Sequence, residues 1–366
     1  MFRNLIIAAV AVLVGLGNAA AVFGVVSSRE IEKVRNKAVL GGEDAAVVDD
    51  FLGQAVTELV KTSDYASISR VREAILANNK STQQSAQDQY RQLFTKSARA
   101  AIQKGFEESA ALENTEKQFV TRLNLAILVA EIGDVELIDL SMEKLNDPSS
   151  AVRYWAVKGL TGPGIVAQLN AGQAEDAAKK ISKALGDVCK SSDTATVVLI
   201  ADFGAKLKAA AGEELLVALA AARMEKYRSW QVEDELAEIS VLTALNSKFA
   251  AAVKKEEIGR AFCQLYSDVF QRYIGGAGTL DDDHKARLAS VLVEIEDKCV
   301  TGLTGIKQEK IKRLIEGGDL KGLRDEHDRL LGSEQAAGQI PIKFGIDYGK
   351  KDGGAATAPE VLPAGK

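Results

Sequence analysis

Apolar residues recur at spacings of three and four along most of this chain, which is the pattern of amphipathic helices. The clearest example is the segment 147–160, whose apolar face consists of Val152, Trp155, Ala156 and Leu160. The body of the sequence lacks sustained alternation of apolar and polar residues, which is the pattern of a half-buried strand. The chain is therefore predicted to be all-α.

The same segment carries its own start signal. Pro148 has a fixed φ and no N–H, so it fits the first turn of a helix. Asp147 can accept hydrogen bonds from the unpaired amides of that turn, and its charge suits the positive end of the helix dipole. The predicted helix is short and amphipathic, so it must bury its apolar face against neighbouring helices.

This stretch resembles the start of a HEAT repeat, a helical hairpin that stacks into α-solenoids. The resemblance rests on an Asp-Pro turn, a Val-Arg pair, an alanine and a leucine, here Asp147, Pro148, Val152, Arg153, Ala156 and Leu160. It implies an inter-repeat structural role for the turn and the pair, with Asp147 and Arg153 bridging consecutive repeats. The match covers roughly 40 residues, one repeat of this class, and no other segment repeats the Val-Arg pair cleanly.

Weaker copies of the pattern begin near residues 119, 194 and 233, on either side of the clear match that begins near 150. Their intervals are irregular but approach the period of roughly 40 residues that such arrays have. The predicted fold is an all-α, right-handed α-solenoid of divergent HEAT-like helical hairpins. An N-terminal signal peptide precedes it and a flexible C-terminal tail follows it.

The N-terminus differs from the body. Arg3 precedes the apolar run 5–16, and small residues follow at 18–21, which is the three-part pattern of a secretory signal peptide. An uncleaved membrane anchor is the alternative, because the run 5–26 is long enough to span a bilayer. The predicted parts are 1–21 signal peptide or anchor, 22–112 N-terminal helical region, 113–274 HEAT-like repeats, 275–346 C-terminal helical region and 347–366 disordered Gly/Ala/Pro-rich tail.

The net charge of the chain and its predicted export limit the classes of molecule that it is expected to bind. The formal net charge is -5 and the isoelectric point is about 5.4, which argues against nucleic acid because phosphate binding needs a basic surface. The signal peptide predicts export to a bacterial periplasm or cell envelope, with a membrane tether if the N-terminal segment stays attached. The expected partner is another protein, whose identity the sequence leaves open.

Three cysteines, Cys189, Cys263 and Cys299, lie in the part predicted to be exported. An oxidising compartment permits one disulfide, and the pair favoured here is Cys263 with Cys299 on successive predicted helices. The alternative is that all three are buried free thiols that pack as small apolar side chains.

The residues closest to a metal site are Asp281, Asp283 and His284, which supply oxygen and nitrogen ligands within four positions. The structural alternative is an acidic helix N-terminus, since adjacent residues at a helix start point in different directions. Zinc-protease, CxxC and nucleophile-elbow spacings do not occur. No cofactor and no catalytic residue are predicted, so the chain is not expected to be an enzyme.

Aromatic residues supply the candidate binding surface: Tyr154, Trp155, Tyr227 and Trp230. Core packing is the alternative for Trp155, because it lies on the apolar face of its helix. The predicted function is a non-enzymatic, exported α-solenoid scaffold or adaptor that binds a protein through a repeat surface. A self-assembling cell-envelope protein and a small-ligand or glycan-binding protein are the alternatives, and the oligomeric state stays open.

Overall fold

The computed structural model describes residues 28–363 except 173, 277, 306, 308, 352 and 353. The predicted signal peptide at 1–21 lies outside these residues. The described part is all-α, as the sequence pattern predicts. No helix within it is long and apolar enough to cross a membrane.

The helices follow one another with short connections. The first half contains α1 Ser28–Arg35, α2 Gly42–Lys61, α3 Tyr65–Ala77, α4 Gln87–Ala110, α5 Thr115–Ile132, α6 Ile138–Glu143, α7 Ser150–Thr161, α8 Pro163–Asn170 and α9 Glu175–Val188. The second half contains α10 Thr194–Lys206, α11 Ala210–Arg228, α12 Ala237–Phe249, α13 Lys255–Gly275, α14 Asp282–Ile295, α15 Thr301–Thr304, α16 Lys310–Glu316, α17 Leu320–Leu331 and α18 Gln339–Phe344. A π-helical turn, Glu296–Val300, joins α14 to α15, and the short strands β1 Lys350–Lys351 and β2 Gly354–Ala355 pair antiparallel.

The helices from α5 onward pack in two rows. In one row α5 contacts α7, α7 contacts α10, and α10 contacts α12. In the other row α9 contacts α11, and α11 contacts α13. Contacts between α10 and α11 and between α12 and α13 join the rows. Most of these helices therefore pack on the next but one along the chain, whereas α7 packs on α10.

Hydrogen bonds between successive helical pairs recur at a nearly constant sequence separation. Thr194 Oγ1 donates to Asp234 across 40 residues, and the amide of Val253 donates to Glu213 across 40. Arg272 donates to the carbonyl oxygen of Val232, again across 40 residues. Polar side chains thus join parts of the chain that lie 40 residues apart, in addition to the apolar packing.

Close approach of α10 and α11 depends on two glycines. A β-carbon at Gly212 would lie 2.7 Å from the carbonyl oxygen of Gly204, which is shorter than any normal contact. A β-carbon at Gly204 would lie 2.8 Å from Cγ of Leu216. The two helices can approach this closely only because neither position carries a side chain.

The buried apolar residues form two clusters. One cluster extends from Ile31 to Val152, and the other extends from Ile138 to Ile346. They meet on α6 and α7, where Leu140 and Val152 face the first cluster while Ile138 and Ala156 face the second. This division of the core does not coincide with the predicted boundaries at 112 and 274.

The tail predicted to be disordered from residue 347 is hydrogen-bonded to the rest of the fold at several of its described residues. The carbonyl oxygen of Ala356 accepts a hydrogen bond from the Tyr348 amide, and the Thr357 hydroxyl donates to the carbonyl oxygen of Ser333 at 2.8 Å. Gly332 has φ 111°, and a β-carbon there would overlap the carbonyl oxygen of Thr357. Residues 356–363 then continue without helix or strand against α13, where Gln264 and Gln271 bond to the main chain of Glu360 and Leu362.

Candidate functional site

A cleft of about 720 Å³ lies between the C-terminal ends of α13 and α17 and the tail segment 357–363. Its walls include Trp230, Gln271, His327 and Leu362. A volume of this order is in the range of roughly 300–1,000 Å³ that ligand sites occupy. The cleft is our candidate functional site.

Trp230 is held in the cleft by an unusual helix end. The amide of Gln231 donates to the carbonyl oxygen of Lys226 at 2.9 Å, which closes α11 as a Schellman motif. Trp230 has φ 56° and occupies the left-handed position that glycine usually takes. That conformation costs on the order of 1–3 kcal/mol in a residue other than glycine. Backbone strain that fixes one aromatic side chain at a cleft is a pointer to function.

The indole of Trp230 is engaged on both its edge and its face. Its Nε1 donates to the carbonyl oxygen of Pro363 at 3.0 Å. The guanidinium of Arg272 lies 5.1 Å from the ring centroid, within the range of a cation–π contact. The edge of the indole therefore binds the tail directly, and the Arg272 cation lies against the face of the ring.

Two glutamines of α13 hold the tail by its main chain. Gln264 Oε1 accepts from the amide of Glu360 at 2.8 Å, and its Nε2 donates to the carbonyl oxygen of Glu360 at 3.1 Å. Gln271 Nε2 donates to the same carbonyl oxygen at 2.9 Å, and its Oε1 accepts from the amide of Leu362 at 2.8 Å. The two residues are two helical turns apart, so their amides line one face. The two glutamines therefore bind this segment through its main-chain atoms.

A hydrogen-bond chain fixes the orientation of the Gln271 amide. His327 Nδ1 donates to Asp328 at 2.8 Å, and its Nε2 accepts from the Ser267 hydroxyl at 2.7 Å. Ser267 Oγ in turn accepts from Gln271 Nε2 at 2.8 Å. Burial lowers the pKa of His327, which favours the neutral ring that this chain requires. The amide nitrogen of Gln271 is thus directed at the tail carbonyl and its oxygen at the tail amide.

The same three side chains have the connectivity of a serine-histidine-aspartate triad, but their setting differs from one. Ser267 is fully buried in the middle of α13, and its hydroxyl already serves His327 and Gln271. Asp328 follows His327 directly in sequence and its side chain is 45% exposed, whereas a triad carboxylate is buried behind the ring. The arrangement positions Gln271 and does not present a nucleophile to the cleft.

Asp268 orients the other glutamine. Gln264 Nε2 donates to Asp268 Oδ1 at 2.9 Å, within a buried environment. Burial raises the pKa of Asp268 to about 7, while the Gln264 hydrogen bond and Arg228 lower it and Glu360 and Glu238 raise it further. A titratable group therefore orients each tail-binding glutamine. Asp268 of α13 bonds Gln264 directly, and His327 of α17 acts on Gln271 through Ser267.

Two arginines lie beside the tail, and each is also paired with a glutamate of its own helix. Arg228 forms an ion pair of 2.6 Å with the Glu360 carboxylate. Arg260 donates to the carbonyl oxygen of Asp347 at 2.7 Å and lines a second cavity of about 230 Å³ on the other side of Glu360. The bound segment thus places its carboxylate beside guanidinium groups.

Tyr227, predicted to contribute to a binding surface, is instead fully buried. It lies beside a buried ion network in which Arg223 contacts Glu238 at 2.9 and 2.8 Å and Asp234 at 3.2 Å. Burial raises the pKa of Glu238, and the two-point contact with Arg223 opposes that shift. Apolar and charged neighbours on every side exclude Tyr227 from solvent, so only Trp230 of this pair reaches the cleft.

Tyr154 and Trp155 lie half-buried on α7. Their rings meet edge to face with centroids 6.0 Å apart, and Trp155 packs against the N-terminal apolar cluster. Lys158 Nζ covers the Trp155 ring at 4.0 Å. The structure thus gives Trp155 largely the core-packing environment that was the alternative reading.

The turn that resembles a HEAT repeat is bonded differently from the predicted bridge. Arg153 donates to the carbonyl oxygens of Asp147 and Pro148 in its own turn, at 2.8 and 3.1 Å. The carboxylate of Asp147 instead pairs with Arg122 of α5 at 3.5 Å. Val152 is fully buried in the N-terminal cluster. Asp147 thus connects the turn before α7 to α5 through Arg122, whereas Arg153 bonds within its own turn.

The three candidate metal ligands, Asp281, Asp283 and His284, are not gathered together. Asp281 caps α14 by accepting from the amide of His284 at 2.8 Å, and His284 Nδ1 lies 2.5 Å from the buried carboxylate of Glu235. Asp283 lies in the first turn of α14. Across the described residues, no three His, Cys, Asp or Glu side chains form a group that could hold a metal ion. The acidic helix start is the environment the structure gives these residues.

The cysteines are three buried free thiols, Cys189, Cys263 and Cys299. Cys263 and Cys299 are thus not bridged, and the environment of all three is that of the alternative, buried free thiols that pack as small apolar side chains. Burial raises the pKa of Cys189 and of Cys263 to about 12 and that of Cys299 to about 11. None of the three is poised for thiolate chemistry.

Sequence reasoning missed the glutamine pair and the tail as elements of one site. The only available signal was the seven-residue spacing of Gln264 and Gln271, which puts both amides on one helix face. A comparison with protein-family models gives no match for this chain, and a comparison with curated protein sequences gives none either. Its function is therefore argued from the geometry of the cleft.

Proposed function

We propose that this chain is a non-enzymatic, exported scaffold or adaptor, a right-handed α-solenoid of divergent HEAT-like hairpins that binds a protein partner through its repeat surface. The two rows of helices and the recurring hydrogen bonds across 40 residues support the repeat architecture. Stacked helical pairs of this kind build extended surfaces suited to polypeptides.

One observation carries the binding function. A helix face of the array holds an extended segment by four hydrogen bonds from Gln264 and Gln271 to main-chain atoms. Such bonds give affinity for a polypeptide backbone whatever its side chains, and neighbouring pockets add selectivity. The strained Trp230 at the end of this face supplies an aromatic anchor of the kind that dominates binding energy at interfaces.

The proposal is tested by affinity capture from a native cell-envelope extract, with the full-length protein as cross-linked bait. Trp230→Gly is the groove variant, because glycine adopts φ 56° without strain and preserves the end of α11. Trp155→Phe is the matched control in an aromatic residue outside the cleft. We expect one stoichiometric protein that the wild type and the control retain and the groove variant loses. Recovery of the bait alone, in all three cases, would contradict the proposal.

A further inference from the structure

We propose that the groove between α11, α13 and α17 is a receptor for an extended peptide carrying a carboxylate followed by apolar residues, and that residues 357–363 occupy it as an intramolecular substitute for that peptide. This inference rests on the proposed function and names the partner class and its regulation. The segment that fills the groove reads Thr-Ala-Pro-Glu-Val-Leu-Pro.

The groove binds main-chain groups of the tail at fixed intervals along its length. Gln264 and Gln271 together engage the carbonyl oxygen and amide of Glu360 and the amide of Leu362, and Trp230 takes the carbonyl oxygen of Pro363. All of these groups are present in any extended peptide. Their spacing along α13 sets the direction in which the peptide lies.

Side-chain contacts define the chemistry that the groove selects. Pro359 is buried, and Leu362 packs against the C-terminal apolar cluster. The Glu360 carboxylate pairs with Arg228, and Arg260 lines the adjoining cavity. A ligand with an acidic residue between apolar ones satisfies both features.

The tail is held in a way that permits exchange. Val361 is 83% exposed, so the segment commits few apolar side chains to the groove. The Arg228–Glu360 pair is exposed on both sides, at 39% and 68%, and surface pairs of this kind contribute little. Covalent attachment supplies a high effective concentration instead of many contacts. A partner peptide with a further apolar anchor in the open part of the cleft would displace the tail.

The test measures binding of a fluorescein-labelled peptide, Thr-Ala-Pro-Glu-Val-Leu-Pro, by fluorescence polarisation. The receptors are the full-length chain and a variant that ends at Ala356. A second, full-length variant, Glu360→Lys with Leu362→Asp, releases the tail without shortening the chain and covers the case in which the truncated form does not fold. Gln271→Leu in the released background removes the clamp, and Gln54→Leu on the exposed face of α2 is its matched control.

We expect the released chains to bind the peptide at least about tenfold more tightly than the wild type, whose own tail competes. Gln271→Leu is expected to lower that affinity by about tenfold or more, with no change for Gln54→Leu. Equal peptide affinity of wild type and released chains, or of Gln271→Leu and Gln54→Leu, would overturn the inference. A concentration-dependent dimer that dissociates on tail truncation would also overturn it, because the tail would then bind a second copy. Capture of a partner that is sensitive to Trp230→Gly but not to tail release would leave the proposed function standing without this inference.

Discussion

Alanine substitutions at two helical glycines should change stability in opposite directions. Gly212 lies where α11 meets α10, and its added β-carbon would stand 2.7 Å from the carbonyl oxygen of Gly204 and 3.0 Å from that of Leu207. Gly53 lies within α2 and has no atom within 4 Å of its added β-carbon. The two sites therefore separate the packing effect from the intrinsic helix preference for alanine.

The magnitudes follow from the structure. Replacing glycine by alanine inside a helix stabilises it by about 0.5–1 kcal/mol, and this is the gain expected for Gly53→Ala. At Gly212 the obstructing atoms are backbone oxygens that cannot rotate away, and overpacking of this kind costs about 1–3 kcal/mol. The net expectation for Gly212→Ala is a loss of about 1–2 kcal/mol in the free energy of unfolding.

Urea unfolding followed by far-ultraviolet circular dichroism measures both changes. The slope against urea should stay constant, so that a shift in midpoint reports stability alone. If Gly212→Ala raises the midpoint as much as Gly53→Ala does, α10 and α11 do not approach as closely as described here.

Three further predictions address buried groups. Glu238→Gln should lower the free energy of unfolding by about 3–5 kcal/mol, because it removes the fully buried carboxylate that bonds Arg223 at two points and leaves only the partly exposed Asp234. Glu175→Gln, in an exposed pair with Lys179, should leave the free energy of unfolding nearly unchanged, and chemical denaturation compares the two variants. The Asp268 pKa is raised to about 7 from 3.8, so the folded state binds its proton more tightly and stability should fall as pH rises between these values. Asp268→Asn should flatten that part of the stability profile, and an unchanged slope would refute the assignment. A thiol reagent should find no reactive cysteine in the native protein at pH 8 and three after unfolding, whereas one thiol after unfolding would indicate a disulfide.

Local sequence signals predicted the helices well because their causes are local. Gly133 follows an apolar run and ends α5 in the left-handed conformation, with φ 62°. Asp64 directly precedes α3, and its carboxylate caps that helix by accepting from the amide of Ser67. Apolar spacing of three and four similarly located the buried face of α7.

The site could not be predicted because its contacts are remote in sequence. Gln264 and Glu360 are 96 residues apart, and Ser267 and His327 are 60 apart. A Gly/Ala/Pro-rich tail is typical of disorder when judged by its own composition. The contacts of the tail come from side-chain amides of α13 and from the indole of Trp230, and the composition of the tail contains no information about them.

Two aromatic residues of the candidate binding surface also show why the site could not be predicted from the sequence. Tyr227 and Trp230 are three positions apart, yet one is fully buried beside Arg223 and the other borders the cleft. The difference arises because Trp230 lies beyond the last turn of α11 in a left-handed conformation, which redirects its side chain. Neither the residue type nor the spacing indicates that change of direction.

Zero-length carbodiimide cross-linking of the folded monomer, read by peptide mass spectrometry, tests the repeat architecture most directly. The stacked arrangement of helices predicts a link between Lys180 and Asp139, which lie 2.7 Å apart, and one between Lys254 and Glu214, which lie 2.9 Å apart. The two pairs are separated by 41 and 40 residues in sequence. All four side chains are exposed enough to react. Absence of both links, with others joining helices that are several pairs apart, would contradict the stacked array.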